Sequence, residues 1–427
     1  MKRSLLRHFA AHSSKHAALT TAIPRRLASS LSQRPNAQNV SFPGAVKSDF
    51  TNVMSFVQPA EIAALPTYRA IDAEGEPVDS SFVADLSDSE IVKLYRDMLF
   101  VAVMDLTMFD AQRQGRVSFY MVSMGEEAVC VGSASALEKD DVVFCQYREQ
   151  GVFRQRGFTA IDFMNQLFSN SQDPGRGRNM PVHYGSSKLN INPGSVPPRV
   201  VVAYFGEGAA SEGDFHAALN IAATRGCPVI FLCRNNGYAI STPTLEQYRG
   251  DGIASRGIGY GIDTIRVDGN DFWAVRAATK RARQLALQDG GKPVLIEAMT
   301  YRVSHHSTSD DSFAYRAKVE VEEWKRRDNP IARLRKWMEH KGIWSEDLEQ
   351  EARQEIKREV LEAFRKAEAD KKPALRNMFT DVYEDMTPEL EKQMHRLHDL
   401  LERYPDEYDV TGFDGGKKSL QKGLNDA

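Results

Sequence analysis

The stretch RVVVAYFGEGAASEGDFHAALNIAATRGCPVIFLCRNNGYAIST, residues 199–242, carries the clearest secondary-structure signal in the chain. Its apolar runs Val200–Phe205 and Cys227–Cys233 are continuous, which is typical of strands buried on both faces of a parallel sheet. Between these runs, Ser211 is placed to cap a helix and Gly226 is placed to end it. The stretch therefore predicts a strand–helix–strand unit.

The same alternation continues on both sides of this unit. Predicted strands lie at Val142–Cys145, Thr264–Val267 and Val294–Tyr301, and predicted helices lie at Ile161–Phe168 and directly after Asp271. Parallel strands that alternate with helices form a doubly wound sheet that is covered on both faces. The predicted fold class is therefore α/β.

Four regions follow from the composition. Residues 1–40 contain no Asp or Glu but many Arg, Ser and Ala, which favours a mitochondrial presequence over the alternative, a disordered basic tail. Residues 41–100 are predicted to form an N-terminal arm and first helix, and residues 101–325 the α/β core. Residues 326–427 are predicted to form a charged helical region and tail.

The bulk properties exclude several classes of protein. The chain has 427 residues and a formal net charge of -3, so nothing favours nucleic acid as a partner. No apolar run is long enough to span a membrane. The four cysteines form no C-x-x-C pair, which favours buried, reduced thiols over a disulfide framework or a zinc site.

Polar residues follow both strands of residues 199–242 at the points where the strands end. Glu207, between Gly206 and Gly208, comes after the first strand, and Asn236 comes after the second. We expect them to meet, because parallel strands end at the same edge of a sheet. Carboxylate and amide oxygens suit Mg²⁺, and the N-terminus of the intervening helix favours a phosphate.

Two other interpretations compete with a magnesium–phosphate site. An acid between glycines is, by itself, also typical of an ordinary strand–turn–helix corner. A dinucleotide-binding fold expects an acid for the ribose at the end of the second strand. That position holds Arg234-Asn235-Asn236, and Arg234 supplies positive charge for an anion. The two strand ends together therefore favour a magnesium–phosphate site.

This combination resembles the thiamine diphosphate motif, an acid between glycines followed by an Asn-Asn pair on the next strand. From about Phe42 to about Asp409 the chain resembles the alpha subunits of branched-chain 2-oxo acid dehydrogenases, the decarboxylating component. The matching stretches include QRQGRVSFYM, QYREQGV, GRNMPVHYG, QYRGDGIASRG, RVDGND and IEAMTYRVSHHSTSDDSFAYR. Pyruvate dehydrogenase alpha subunits are similar in outline, but His305-His306 and Ser307–Asp311 favour the branched-chain family.

The resemblance implies the thiamine diphosphate-binding fold and an oxidoreductase that decarboxylates the 2-oxo acids from valine, leucine and isoleucine. The acyl group would pass to a lipoyl arm. The implied partners are a beta subunit, in an assembly of two alpha and two beta chains, a lipoyl-bearing acyltransferase core, and a regulatory kinase and phosphatase. In this family the beta subunit supplies the glutamate that activates the cofactor, so the chain alone should be inactive. The implied location is the mitochondrial matrix.

The resemblance also assigns individual residues. Glu207 and Asn236 match the Mg²⁺ ligands that use side chains, and Tyr238 matches the ligand that uses its carbonyl oxygen. The residues that match contacts to the cofactor are Tyr147, Arg148, Gly208, Ala209, Arg234 and His306.

His306 matches the catalytic histidine, which handles protons or polar contacts during acyl transfer, and Ser307 matches an inhibitory phosphorylation site. A second phosphorylation site of the family is absent, because Ala317 occupies its position. Without the resemblance, Arg148 could form a surface salt bridge, and His306 and Ser307 could be ordinary solvated loop residues.

One departure from the family lies between Tyr184 and Val200. The family has a stretch resembling T-I-S-S-P-L-A-T-Q and a helix there, whereas Leu189–Asn192 is followed directly by Pro193–Pro198. The absent stretch supplies cofactor contacts, K⁺ ligands and cover for one face of the sheet. An omitted exon, an error in the gene model or a natural deletion would each explain the absence near residues 191–192. We expect loss of the K⁺ site, weak cofactor binding and poor assembly, and an inactive or regulatory variant is the alternative.

Overall fold

The computed structural model describes residues 39–40, 48–186, 198–381 and 383–421. Residues 191–192, where the family's stretch is predicted to be absent, lie outside these ranges. So do all but two residues of the predicted presequence. The chain divides into two units after Ile62. In the described part of the first unit, β1 (Asn39–Val40) pairs with β2 (Ser48–Asp49) in antiparallel fashion. The second unit contains the α/β core.

The five predicted strands and the predicted helix Ile161–Phe168 lie within two residues of elements in the second unit, which contains more elements than the sequence predicts. Its strands are β3 (Thr67–Tyr68), β4 (Val142–Phe144), β5 (Val201–Gly206), β6 (Val229–Asn235), β7 (Tyr238–Ala239), β8 (Thr242–Pro243), β9 (Asp263–Asp268) and β10 (Val294–Met299). Its helices are α1 (Asp88–Arg113), α2 (Glu127–Ala134), α3 (Gln150–Gln155), α4 (Ala160–Phe168), α5 (Gly213–Arg225), α6 (Thr244–Gln247), α7 (Ala254–Gly259), α8 (Phe272–Ala286), α9 (Lys318–Arg327), α10 (Pro330–His340), α11 (Glu346–Ala369), α12 (Asn377–Thr380) and α13 (Pro388–Arg403).

Six strands form one sheet in the order β3-β9-β10-β6-β5-β4, and every pair of neighbours is parallel. Side chains alternate between its faces, as Leu232 and Phe231 of β6 illustrate. Leu232 lies in the large apolar cluster that includes α1, α2, α8 and α11, and Phe231 lies in a second cluster with α5. Helices therefore cover both faces, which confirms the predicted doubly wound α/β fold.

Two predicted helix signals lie at the ends of α5, and only one is correct. Gly226 ends the helix with φ of 66°, a conformation that glycine adopts without strain. The predicted cap at Ser211 is wrong, because α5 begins at Gly213 and Ser211 closes a short 3₁₀ turn. The Ser211 hydroxyl instead accepts a hydrogen bond from Gln247 Nε2 at 2.9 Å. A tertiary contact therefore uses the group that local sequence assigned to the cap.

The predicted region boundaries at residues 100 and 325 both fall inside helices, α1 and α9. Helices α10 and α11 bury their apolar faces in the same cluster as the sheet. A smaller cluster, formed by Leu375, Phe379, Met394, Leu401 and Leu420, lies further along the chain. The division into four regions stays a prediction from composition. Within the described residues, no helix is long and apolar enough to cross a membrane.

One edge of the sheet is poorly covered on the α5 face. The side chain of Phe144, in the edge strand β4, is 63% exposed. It pairs in register with Ala203 of β5, which is only partly buried, as are Val201 and Phe205 on the same face. On the opposite face, Val143 is buried in the large cluster. Phe144 and the three partly buried residues of β5 form an uncovered strip. The sequence predicts only that one face of the sheet loses cover, and it does not predict which face.

Candidate active site

The two strand ends that carry the predicted metal ligands are adjacent. Strands β5 and β6 pair in parallel with Gly206 opposite Arg234, which brings the following residues, Glu207 and Asn236, together. The backbone N–H of Asn236 donates to Glu207 Oε2 at 3.3 Å. This contact confirms the predicted convergence of the two residues at the carboxyl edge of the sheet.

All the predicted metal and cofactor residues line one cavity of about 220 Å³ at this edge. They are Tyr147, Arg148, Glu207, Gly208, Ala209, Arg234, Asn236, Tyr238 and His306. The sequence reasoning did not single out Gln146, Ala239 and Ile240, which also line the cavity. The predicted residues come from four separate segments of the chain, so the fold alone brings them together.

Glu207 is the acid most suited to a cation. Its side chain is buried, and Oε1 has no hydrogen-bond donor among the residues that the structure describes. Burial raises the pKa of this carboxyl to about 7. A buried carboxylate oxygen without a partner is costly unless a ligand satisfies it. The residues at this edge therefore fit a hard divalent cation bound to a phosphate.

Backbone geometry shapes the wall of the cavity beside Glu207. A Cβ atom on Gly208 would lie 2.8 Å from Cβ of Ala239 in the β7–β8 hairpin, so only glycine fits there. Ile240, at the tip of the hairpin, has φ of 56°, a strained conformation for a β-branched residue. Its carbonyl oxygen accepts from Arg302 Nη2 at 2.7 Å, which helps to hold this conformation.

Arg148 and His306 form another part of the cavity wall. Arg148 is buried, which excludes the surface salt-bridge interpretation. Its Nη2 donates to the carbonyl oxygen of His306 at 2.6 Å and lies 3.3 Å from Nδ1 of that residue. The Tyr147 ring meets the His306 ring edge to face, with centroids 6.1 Å apart. Arg148 thus holds the histidine in the cavity wall.

His306 is uncharged at neutral pH. Burial, followed by the neighbouring guanidinium groups of Arg148 and Arg302, lowers its pKa to about 4. Arg302 Nη1 lies 3.5 Å from Nδ1, so two cationic donors face this nitrogen. Since a guanidinium can only donate, Nδ1 must be the acceptor and the ring proton must lie on Nε2. His306 therefore presents an Nε2–H donor.

Hydrogen bonds order the loop that carries His306 and Ser307. Asp310 Oδ2 accepts from the backbone N–H of His306 at 2.8 Å and from the Tyr315 hydroxyl at 2.7 Å. The Tyr315 hydroxyl in turn accepts from Arg302 Nη2 at 2.7 Å. Ser307 is only 8% exposed, so phosphorylation there requires displacement of the loop.

The neighbouring His305 has a different role from His306. Its Nδ1 accepts from the backbone N–H of Ser312 at 2.9 Å, and its ring packs edge to face on Phe313. Both contacts lie within the loop. His305 therefore supports the loop.

The chain matches a known protein family. A sequence model of the dehydrogenase E1 component matches residues 95–199 and 196–376, which together make up more than half of the chain. The two matched segments meet beside the predicted missing stretch.

Individual relatives are similar over most of their length. The chain is 48% identical to human 2-oxoisovalerate dehydrogenase subunit alpha, mitochondrial, over 406 residues, covering 90% of each chain. The mouse protein of the same name is 48% identical over 393 residues, covering 87% of this chain and 88% of its own. The protein of that name from Dictyostelium discoideum is 50% identical over 378 residues, covering 84% and 86%.

The alignment with the human protein has 406 positions but covers only 90% of the 427 residues of this chain. The human protein therefore has residues without a counterpart here. The family match and the high identity over nearly the whole chain agree with the geometry of the cavity. The chain belongs to the dehydrogenase E1 component family.

Proposed function

We propose that this chain is the alpha subunit of a thiamine diphosphate-dependent branched-chain 2-oxo acid dehydrogenase of the mitochondrial matrix, a 3-methyl-2-oxobutanoate dehydrogenase. The observation that carries the proposal is the convergence of all predicted cofactor residues on one cavity, where Glu207 Oε1 has no hydrogen-bond donor among the described residues. The names of the relatives support the substrate class and the mitochondrial location.

In this proposal the carboxyl edge of the sheet holds the Mg²⁺–diphosphate end of the cofactor. Glu207 and Asn236 contribute side-chain oxygens to the cation, and Tyr238 contributes its carbonyl oxygen. Arg148, and the backbone at Gly208 and Ala209, face the anion. A hard cation with oxygen ligands and an anion beside cationic side chains are both favourable pairings.

Thiamine diphosphate, when bound, would supply a carbanion nucleophile and an electron sink for decarboxylation of a 2-oxo acid. His306 contributes its Nε2–H as a hydrogen-bond donor to oxygen that becomes negative during the reaction. Arg148 and Arg302 keep this tautomer in place through Nδ1.

The proposed function also involves other proteins. The beta subunit supplies the activating glutamate, the lipoyl-bearing acyltransferase core accepts the acyl group, and a kinase and phosphatase act at Ser307. A K⁺ site is not part of the proposal, because the stretch that supplies its ligands in the family has no counterpart in this chain.

The test is turnover by the chain co-expressed with its beta subunit, with added thiamine diphosphate and Mg²⁺. Carbon dioxide release from 3-methyl-2-oxobutanoate and 4-methyl-2-oxopentanoate should exceed release from pyruvate. Glu207→Ala should abolish turnover, whereas Glu212→Ala, an exposed acid outside the cavity, should not. Faster turnover of pyruvate would favour a pyruvate dehydrogenase-type alpha subunit.

A second candidate function is a non-catalytic regulatory subunit. The uncovered strip around Phe144 and the residues of the human relative without a counterpart here favour it. This candidate predicts that the chain co-purifies with the beta subunit but shows no turnover of any 2-oxo acid. Calorimetric titration with thiamine diphosphate and Mg²⁺ then measures whether binding is weak, as the missing stretch predicts.

A further inference from the structure

Glu126 is a buried acid that the sequence reasoning did not single out and that does not line the cavity. It immediately precedes α2, and its side chain is fully buried. Sequence offers only a weak signal for it, two successive acids, Glu126-Glu127, in an otherwise apolar segment. Its carboxylate contacts three residues that do line the cavity.

The first contacts of Glu126 are with two cationic side chains. Its Oε2 forms a buried ion pair with Arg234 Nη1. Arg234 Nη2 pairs with Glu149 Oε1 at 2.6 Å, and Arg148 Nε lies 3.9 Å from Glu126 Oε1. Two buried carboxylates thus oppose two buried guanidinium groups, which fixes both arginines in place.

The other contact of Glu126 is with the proposed Mg²⁺ ligand Asn236. Asn236 Nδ2 donates to Glu126 Oε1 at 2.8 Å. An amide has a donor end and an acceptor end, and an ionised carboxylate can only accept. Glu126 therefore holds the NH₂ end and turns Oδ1 away from itself. Oδ1 accepts from the backbone N–H of Tyr238 at 3.3 Å, which supports the same orientation.

We propose that Glu126 is a positioning residue of the cation site, because it selects the orientation of the Asn236 amide that presents oxygen to Mg²⁺. The inference rests on the proposed function. Only the oxygen end of an amide binds a hard cation, so the opposite orientation would face Mg²⁺ with NH₂. Residues that orient metal ligands in this way change metal affinity without touching the metal.

A purely structural role for the ion pair is the competing explanation. Removal of one partner from a buried ion pair destabilises a protein whether or not it binds a ligand. Stability measurements alone therefore cannot separate the two roles. The orientation role requires that the side chain at 126 accepts the hydrogen bond that the side chain at 236 donates. If one of these two roles is reversed, the other must be reversed as well.

The experiment uses the chain assembled with its beta subunit and titrates Mg²⁺ by calorimetry at saturating thiamine diphosphate. Glu126→Gln replaces the acceptor with an amide that no longer enforces the Asn236 orientation. We expect the Mg²⁺ dissociation constant to rise by about 10- to 100-fold. Glu127 is the adjacent buried acid; its Oε2 accepts from the backbone N–H of Gly125, and neither residue lines the cavity. Glu127→Gln is therefore the matched control and should leave this constant unchanged.

The double variant Glu126→Gln/Asn236→Asp exchanges donor and acceptor and conserves net charge. It should recover most of the Mg²⁺ affinity that Glu126→Gln loses, because a carboxylate at 236 presents oxygen in either orientation. Unchanged Mg²⁺ affinity in Glu126→Gln, or loss without recovery in the double variant, would overturn the inference. Either result would leave only the structural role.

If Glu126→Gln does not assemble, Glu126→Asp gives the same test with the charge retained. The shorter side chain cannot reach both Asn236 and Arg234, so the Mg²⁺ dissociation constant should still rise, and no rise would overturn the inference. Absence of thiamine diphosphate binding by the unsubstituted assembly is a different result. It would contradict the proposed function itself.

Discussion

At the scale of single residues, burial and close neighbours determine the protonation states of the site. Glu207 has a carboxyl with a raised pKa, and within the described part of the chain its Oε1 has no hydrogen-bond donor, which favours occupation by a cation. His306 has a lowered pKa and a fixed tautomer, because two arginines face its Nδ1. The histidine is therefore neutral near pH 7, with its ring proton on Nε2.

The lowered pKa of His306 makes a prediction for stability. The folded pKa of about 4 lies below the ordinary value of 6.5, so the unfolded chain binds the proton more tightly. The stabilising contribution is present above about pH 6.5 and is lost as pH falls towards 4. As the pH is lowered from 7.5 to 5, the unfolding temperature of the parent assembly should fall further than that of the His306→Gln assembly. Parallel losses in both would contradict the lowered pKa.

Gly208 makes a second prediction at this scale. Gly208→Ala places a methyl group against Ala239 in the cavity wall. Overpacking of this kind costs about 1–3 kcal/mol, and displacement of the hairpin should also weaken thiamine diphosphate binding in calorimetry. Gly213→Ala, with no atom within 4 Å of the added carbon, is the control. It should leave both properties nearly unchanged.

At the scale of elements, α2 and the loop after β10 join the sheet to the site. Glu126, before α2, anchors Arg234 and Asn236 at the end of β6. The loop carries His306 and is held through Asp310 and Tyr315. The site therefore depends on contacts between elements far apart in sequence.

Glu127, the first residue of α2, predicts that the protein loses stability at alkaline pH. Burial raises the pKa of Glu127 to about 8, above its ordinary value of 4.5, so the folded chain binds the proton more tightly. Its stabilising contribution is complete below about pH 4.5 and is lost as pH rises through 8. Glu127→Gln mimics the neutral form, so it should unfold at a higher temperature than the parent protein at pH 9. An equal decline in both proteins from pH 6 to pH 9 would refute this.

The loop after β10 predicts a response to negative charge at Ser307. Ser307→Asp introduces a buried charge near Asp310, and the repulsion should release the loop. Arg302 and Arg316 are buried, so trypsin should cleave after them only when the loop opens. Limited proteolysis should cut Ser307→Asp faster than the parent chain. Ser309→Asp, at an exposed position in the same loop, should remain resistant.

At the scale of the whole molecule, one face of the doubly wound sheet is incompletely covered. The strip around Phe144 is exposed although its strand belongs to the main sheet. Exposed apolar area on an edge strand favours association between chains. Poor assembly with a beta subunit stays a prediction from the sequence.

Substitution in the edge strand tests that interpretation. Phe144→Thr should change the unfolding free energy of the chain by no more than about 0.5 kcal/mol, as is usual at exposed sites. It should also reduce self-association in sedimentation experiments. Val143→Thr, one residue away on the buried face, should cost about 1–3 kcal/mol because it buries a hydroxyl. Equal costs for the two substitutions would mean that Phe144 is covered.

The sequence alone determined the α/β class, the positions of the buried strands to within one or two residues, and the edge of the sheet where the site lies. These properties follow from local patterns, since continuous apolar runs, Gly226 and the polar strand ends act over a few residues. The family resemblance added the roles of the residues that line the cavity. Ser211 shows where local reasoning failed, because Gln247 uses its hydroxyl.

Only the tertiary structure decided the roles that depend on distant neighbours. Glu126 contacts Arg234 and Asn236 more than a hundred residues away, and no local pattern predicts such a pair. The tautomer of His306 and the raised pKa of Glu207 likewise depend on burial and on charges brought in by other strands and loops. Chemistry at the strand ends was therefore readable from sequence, whereas its orientation and protonation required the assembled fold.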